Sequence, residues 1–224
     1  MASKGFDIGE ALTSSFNILV KNPKILIPQF ISSLIFTMGS SLSALALFTT
    51  PLGWLALAPA TPILFLLGLI IYVIVSGMYP ILVKDVVNGV SPSLASASKN
   101  AFRKIISLIA ASILVSIIVA IGLILLVVPG LIFLTWFFYT IPALMLEDKG
   151  ALEAMSASKS FGRNKKLNTL AVIIILGIFA LIGGVFSIIP LIGSVISFLI
   201  GLFVAAWASV TQSYIYIKYA TPPS

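Results

Sequence analysis

The chain has 224 residues, of which 60 % are hydrophobic and 8 % are charged, and its net charge is +7. A soluble domain averages roughly 45–50 % apolar and ~25 % charged residues, because much of its surface must face water. The composition therefore excludes a soluble globular enzyme and a disordered chain. The sequence contains neither cysteine nor histidine, which excludes disulfides and thiolate or imidazole metal sites. We expect no cofactor.

Long apolar runs predict an all-α polytopic membrane protein that forms one membrane domain over residues 1–224. A spanning helix needs about 20 apolar residues, and six of them fit this length. The predicted spans lie at about 25–48, 63–83, 105–127, 131–146, 168–188 and 194–217. They pair into three hairpins, with a broken outer loop at 49–62 and a tight turn at Pro129 and Gly130.

A short amphipathic segment precedes each predicted hairpin, at 6–20, 91–104 and 150–161. Their apolar residues recur at helical spacing, so we expect helices that lie on the membrane surface. The segments also share Ala/Ser-rich sequence, which predicts three parallel copies in a rough pseudo-threefold bundle. The alternative is that Ala/Ser-rich connectors occur without any repeat.

All thirteen basic and all six acidic residues fall at the chain ends or in the connections after the second and fourth spans. With six spans these segments share one side, and the Lys/Arg excess predicts the cytoplasmic side of a plasma membrane for both termini. No predicted span contains an ionisable Asp, Glu, Lys or Arg. Proton relays, voltage sensors and ion-coupled pumps need such groups, so those functions are excluded.

Two groups of cations are predicted to contact anionic lipid headgroups on the cytoplasmic face. They are Lys99, Arg103 and Lys104 in the first group and Lys159, Arg163, Lys165 and Lys166 in the second. The alternative is that these cations only set the topology.

Small residues repeat at every fourth position of the last span. They are Gly193, Ser197, Gly201, Ala205, Ser209 and Ser213. Such spacing favours close helix packing, and a hydroxyl-lined path for a neutral solute is the alternative. Two polar patches, at 29–33 and 211–213, are predicted to bond to each other or to form a vestibule.

Acidic residues cluster at Glu147, Asp148 and Glu153, and again at Asp7 and Glu10. Paired carboxylates can hold a divalent ion or transfer protons. Acidic residues at helix starts also stabilise the positive N-terminal end of the helix, and we favour that structural role.

The segment from Pro129 through IPALMLEDKGALEA at 141–154 carries a family resemblance. It resembles the membrane domain that precedes the catalytic barrel in some glycerophosphoryl diester phosphodiesterases, and it is equally similar to uncharacterised six-span bacterial and archaeal families. The resemblance implies a stand-alone membrane domain without catalytic residues. The chain lacks room for a barrel, which needs roughly 200 residues or more.

We therefore expect a non-enzymatic integral membrane protein that organises lipid or serves as a subunit of a membrane complex. The alternative is a facilitator or channel for a small neutral or lipid-like solute. A headgroup enzyme that uses Glu147, Asp148 and Glu153 is the third hypothesis. The expected partners are membrane lipids, with a second membrane protein or a second copy of the chain as further partners, and no nucleic acid.

Overall fold

The computed structural model describes residues 5–48, 60–189 and 192–220, and the side chains in these ranges except 39–48 and 60–61. Within the described residues the chain is all-helical and has no strand. The helices are α1 (Ile8–Lys21), α2 (Leu26–Phe48), α3 (Ala60–Val87), α4 (Leu94–Arg103), α5 (Ile105–Leu125), α6 (Val127–Phe137), α7 (Thr140–Leu146), α8 (Ala151–Arg163), α9 (Lys166–Val185) and α10 (Ile192–Ala220).

Five helical segments among the described residues are long and apolar enough to cross a membrane. They are Pro62–Val87, Ile105–Leu125, Val127–Leu146, Lys166–Ile188 and Ile192–Ala220. Helix α2 covers the first predicted span. The apolar helical segment with described side chains there, Pro23–Met38, begins in a 3₁₀ turn before α2 and is shorter than a span. The sixth span therefore stays a prediction, and residues 49–59 of the predicted outer loop lie outside the described residues.

Large apolar side chains cover the outer surface of the helices. Ile106 is 81 % exposed, Ile124 is 84 % exposed and Leu181 is 73 % exposed. Water strongly disfavours such a surface, whereas hydrocarbon does not. The exposed faces of α5 and α9 thus agree with a membrane environment.

The most deeply buried side chains lie where the short helices pack against the ends of the long ones. Tyr79 and Leu82 of α3, Leu19 of α1, Leu144 of α7 and Ile215 of α10 belong to one core cluster and are almost fully buried. The charged segments meet at this same end of the bundle, where Glu10 pairs with Lys218 and Asp148 pairs with Lys104.

The three amphipathic segments form α1, α4 and α8, and each buries small residues four positions apart. These residues are Ala11 and Ser15, Ala97 and Ala101, and Ala154 and Ser158. Small side chains at this spacing let a helix approach its neighbour closely. The three short helices therefore pack against the bundle through one face, and the pseudo-threefold arrangement stays a prediction.

The turn between the third and fourth predicted spans differs from its predicted position. The chain reverses at Leu126, which is extended with φ −164° and ψ 145°, while Pro129 and Gly130 lie in the first turns of α6. Proline is tolerated there because the first N–H groups of a helix have no intrahelical acceptor. A Cβ on Gly122 would lie 2.9 Å from the Cα of Gly130, so glycine permits this tight α5–α6 contact.

The candidate span Val127–Leu146 is broken between α6 and α7. Pro142 has no N–H for the carbonyl of Phe138, four residues earlier, and the side chain of Gln212 on α10 donates to that carbonyl instead. Ser158 on α8 donates to the Trp136 carbonyl at 2.7 Å and accepts from the Tyr139 N–H at 3.1 Å. Neighbouring helices thus satisfy the broken backbone, as a membrane interior requires.

Candidate functional site: a hydroxyl-lined cavity

Helices α2, α3 and α10 surround a cavity of about 610 Å³. Its polar lining comes from Gln29, Ser32, Ser33, Thr37, Tyr72, Ser187, Ser194 and Ser197. Its remaining lining comes from Phe36, Gly68, Leu69, Phe198, Gly201 and Leu202. The volume falls within the range of small-molecule and cofactor sites.

Helical spacing explains why the polar residues converge on the cavity. On α2 they recur at intervals of three or four residues from Gln29 to Thr37, which places them on one face. On α10 Ser194, Ser197 and Gly201 follow the same rule, and on α3 Gly68 and Tyr72 are four residues apart. Three helices thus present one polar or small-residue face each to a common space.

Several of these polar groups have hydrogen-bond partners within the protein. Gln29 donates to Ser33 at 3.3 Å, and Ser187 donates to the Gly184 carbonyl at 2.7 Å. Ser32 is only 2 % exposed, yet its hydroxyl makes no hydrogen bond to a described residue. The Ser32 hydroxyl can donate to and accept from a hydrogen-bonding molecule in the cavity.

Among the described residues that line the cavity there is no Asp, Glu, Lys or Arg. Serine and tyrosine hydroxyls both donate and accept hydrogen bonds, which suits an uncharged polar group. Phe36 is 50 % exposed and Tyr72 is 54 % exposed, so the cavity reaches the outer surface of the bundle, where lipid lies. The chemistry and the position both fit a neutral, lipid-like molecule.

The small residues of the α10 stripe lie in two different environments. Gly193 is buried against the turn at Phe186, whereas a Cβ on Gly201 would meet no atom within 4 Å. Ser197 and Gly201 line the cavity, while the Ser213 hydroxyl bonds back to the Ser209 carbonyl at 2.8 Å. Close helix packing was the favoured prediction for the whole stripe. At Gly201, however, the position that a Cβ would occupy lies in open space.

The two predicted polar patches have different contacts, and no hydrogen bond joins them among the described residues. Thr211 shares a hydrogen bond of 2.7 Å with Ser15 of α1, and Gln212 donates to the Phe138 carbonyl. Gln29 and Ser32 of the first patch line the cavity instead. The second patch therefore holds α1 and the α6–α7 break in place.

The acidic residues near α8 each have a structural partner. Tyr216 and Lys149 both contact the carboxylate of Glu147, and Lys104 lies 2.7 Å from Asp148. Burial raises the pKa of Glu147, but hydrogen bonds from Lys149 and Tyr216 outweigh that effect and lower it. Glu153 accepts from the Gly150 N–H at 3.2 Å at the start of α8.

The described acidic side chains are spread over helix starts and ion pairs. The described residues contain no group of three or more acidic, histidine or cysteine side chains that could hold a metal ion. Asp7 likewise accepts from the Glu10 N–H at 3.0 Å and caps α1. These contacts are those of helix-capping and ion-pairing carboxylates.

The cations that are predicted to contact lipid lie in two different environments, one beside a carboxylate and one beside aromatic rings. Arg103 and Lys104 lie 3.7 Å and 2.7 Å from Asp148. Lys159 lies over the Trp136 ring, 5.1 Å from its centroid, and Lys165 lies 4.1 Å from the centroid of Phe161. Burial lowers the pKa of Lys165.

The sequence pattern indicates only some of the residues that line the cavity. It singled out Gln29, Ser32 and Ser33 as one polar patch, and Ser197 as one stripe position, without joining them. It missed Tyr72 and Ser194, whose only sequence signal is their helical spacing from Gly68 and Gly201.

Comparison of the chain with protein-family models, with curated proteins and with solved structures finds no match.

Proposed function

We propose that this chain is a non-enzymatic integral membrane protein that binds a neutral, lipid-like molecule in the cavity between α2, α3 and α10. The observation that carries the proposal is the set of hydroxyls around a 610 Å³ space whose described lining residues include no Asp, Glu, Lys or Arg. The charged end of the bundle faces the cytoplasm in this proposal, because cytoplasmic segments carry the Lys/Arg excess. The membrane is the plasma membrane.

The acidic residues support a non-enzymatic function. Glu147 and Asp148 are engaged by lysine side chains, and Glu153 accepts a backbone hydrogen bond. A general base needs a lone pair that is directed at a substrate proton. The contacts of these three carboxylates are directed at the protein itself.

Holding a lipid and transferring it are two versions of this function. The exposed walls of the cavity, Phe36 and Tyr72, favour entry from the surrounding lipid over entry from water. We propose the lipid-organising function, in which the protein holds the molecule. Facilitated movement of the same lipid-like molecule across the bilayer is the alternative.

The test is gentle extraction from the native membrane, followed by mass spectrometry of the molecules that remain bound. We expect a neutral lipid-like molecule in a defined ratio to the protein. The variant Ser32→Ala with Ser197→Ala should lose most of it, because two cavity hydroxyls are gone. The matched control is Ser98→Ala with Ser156→Ala, which removes two hydroxyls outside the cavity.

Two results would decide against the proposal. A stoichiometric partner protein with no bound lipid would make the chain a subunit of a complex. Equal retention of the lipid by both double variants would place its site elsewhere. A flux assay in liposomes then separates the two versions, since only a facilitator speeds movement of the bound molecule across the bilayer.

A further inference from the structure

The junction of α8 and α9 carries four cations within eight residues. They are Lys159, Arg163, Lys165 and Lys166, and we name them the basic corner. None of them makes an ion pair with a described residue, whereas Lys104 and Lys149 pair with Asp148 and Glu147. The positive charge of the basic corner is therefore uncompensated within the described part of the chain.

The acidic residues explain this imbalance. Glu10, Glu147 and Asp148 pair with cations elsewhere. Asp7 and Glu153 accept backbone hydrogen bonds at helix starts, and the Ser93 N–H lies 3.3 Å from Asp85. An anion from outside the chain is left as the counter-charge for the basic corner.

The local geometry adds backbone donors and positions two of the ammonium groups. No side chain caps the N-terminus of α9 at Lys165, so its first N–H groups have no intrahelical acceptor and favour an anion. Trp136 and Phe161 lie beneath the ammonium groups of Lys159 and Lys165. Such contacts restrict where the two cations point.

The position of the basic corner relative to the lipid-facing surface indicates which kind of molecule carries the anion. Lys166 is the first residue of the candidate span Lys166–Ile188, and the adjacent Leu167 is 78 % exposed. The cations thus stand where the lipid-facing apolar surface begins, which is the level of lipid headgroups. A lipid can place its acyl chains against this apolar surface while its headgroup contacts the cations, whereas a soluble anion cannot.

We propose that the basic corner binds the phosphate of an anionic membrane lipid headgroup. This site is separate from the cavity, so either proposal can fail alone. The first group of cations, Lys99, Arg103 and Lys104, is not part of this site, because Asp148 compensates two of its members.

The experiment measures binding of phosphatidylglycerol and phosphatidylcholine to the purified full-length chain by native mass spectrometry. Lys165→Gln with Lys166→Gln should weaken phosphatidylglycerol binding about thirtyfold, the factor that two cations near a membrane surface supply. Lys166→Gln alone, at an exposed side chain, should weaken it about fivefold. Phosphatidylcholine binding should change little.

The matched control is Lys21→Gln with Lys24→Gln, which removes the same charge at two exposed lysines. It should leave phosphatidylglycerol binding within about threefold of wild type, because screened charges away from the site contribute little. An equal loss in both double variants, or no loss in either, would overturn the proposal. Displacement of the lipid by equimolar inorganic phosphate would overturn it too, since the corner would then be a soluble-phosphate site.

Discussion

Gln212 on α10 donates a side-chain hydrogen bond to the backbone carbonyl of Phe138, and this bond holds together the broken candidate span Val127–Leu146. The carbonyl lacks its helical donor because Pro142 has no N–H. An unsatisfied backbone group inside a membrane is costly. The contact therefore joins α10 to the α6–α7 break.

Replacing Gln212 by Leu should destabilise the protein by about 1–3 kcal/mol, because the Phe138 carbonyl loses its donor. Pro142→Ala supplies a helical N–H for the same carbonyl, so Gln212→Leu should cost less than half as much in that background. Unfolding free energies of the four proteins in one detergent give this double-mutant cycle. Equal costs in both backgrounds would show that the two residues act independently.

Ser158→Ala should also destabilise the protein by about 1–3 kcal/mol. The change removes the donor to the Trp136 carbonyl and the acceptor for the Tyr139 N–H at once. Ser160→Ala on the exposed face of the same helix is the control and should stay within about 0.5 kcal/mol of wild type. Thermal unfolding of both variants checks this, and equal stability of the two would contradict the bridging role of Ser158.

The fall in stability at acid pH should depend partly on Asp148. The ammonium of Lys104 lowers the pKa of Asp148. A carboxyl with a lowered folded pKa stabilises the protein above its unfolded pKa, near 4, and loses that contribution as pH falls through the folded value. Tm should therefore drop below about pH 4 less steeply in Asp148→Asn than in wild type.

Asparagine is the suitable replacement because Asp148 has φ 53°, a left-handed conformation that Asn tolerates. Lysine contacts also lower the pKa values of Glu10 and Glu147, so part of the acid dependence should remain in the variant. Parallel Tm curves for the two proteins between neutral and acid pH would refute the contribution of Asp148.

The absence of native cysteine makes single-cysteine labelling a clean test of orientation. Ser156→Cys lies on α8, which precedes α9, and Ser187→Cys lies just after α9, a 20-residue helix of about 30 Å. In intact cells an impermeant thiol reagent should label Ser187→Cys, and it should label Ser156→Cys only after lysis. The reverse pattern would place the charged end outside the cell.

The apolar runs of the sequence predicted the all-helical fold and most of the helix positions, because hydropathy over 20 residues is a strong local signal. The break at Phe138 was not predictable, since it depends on Gln212 and Ser158 from distant parts of the chain. The cavity was predictable only in pieces, because no periodicity shows which polar face of α2 meets which face of α10.

Gly201→Leu tests whether a lipid-like molecule occupies the cavity. A Cβ at Gly201 meets no described atom of a neighbouring element within 4 Å, and Gly201 lines the cavity, so we expect a leucine there to extend into the cavity. Gly177→Leu is the matched control, since Gly177 also has open space around it and does not line the cavity.

Mass spectrometry of the two purified variants gives the decisive comparison. We predict that Gly201→Leu loses the bound molecule, that Gly177→Leu retains it, and that both unfold at or above the wild-type temperature, since leucine is a better helix former than glycine. Retention of the same molecule at the same stoichiometry by Gly201→Leu would contradict the account.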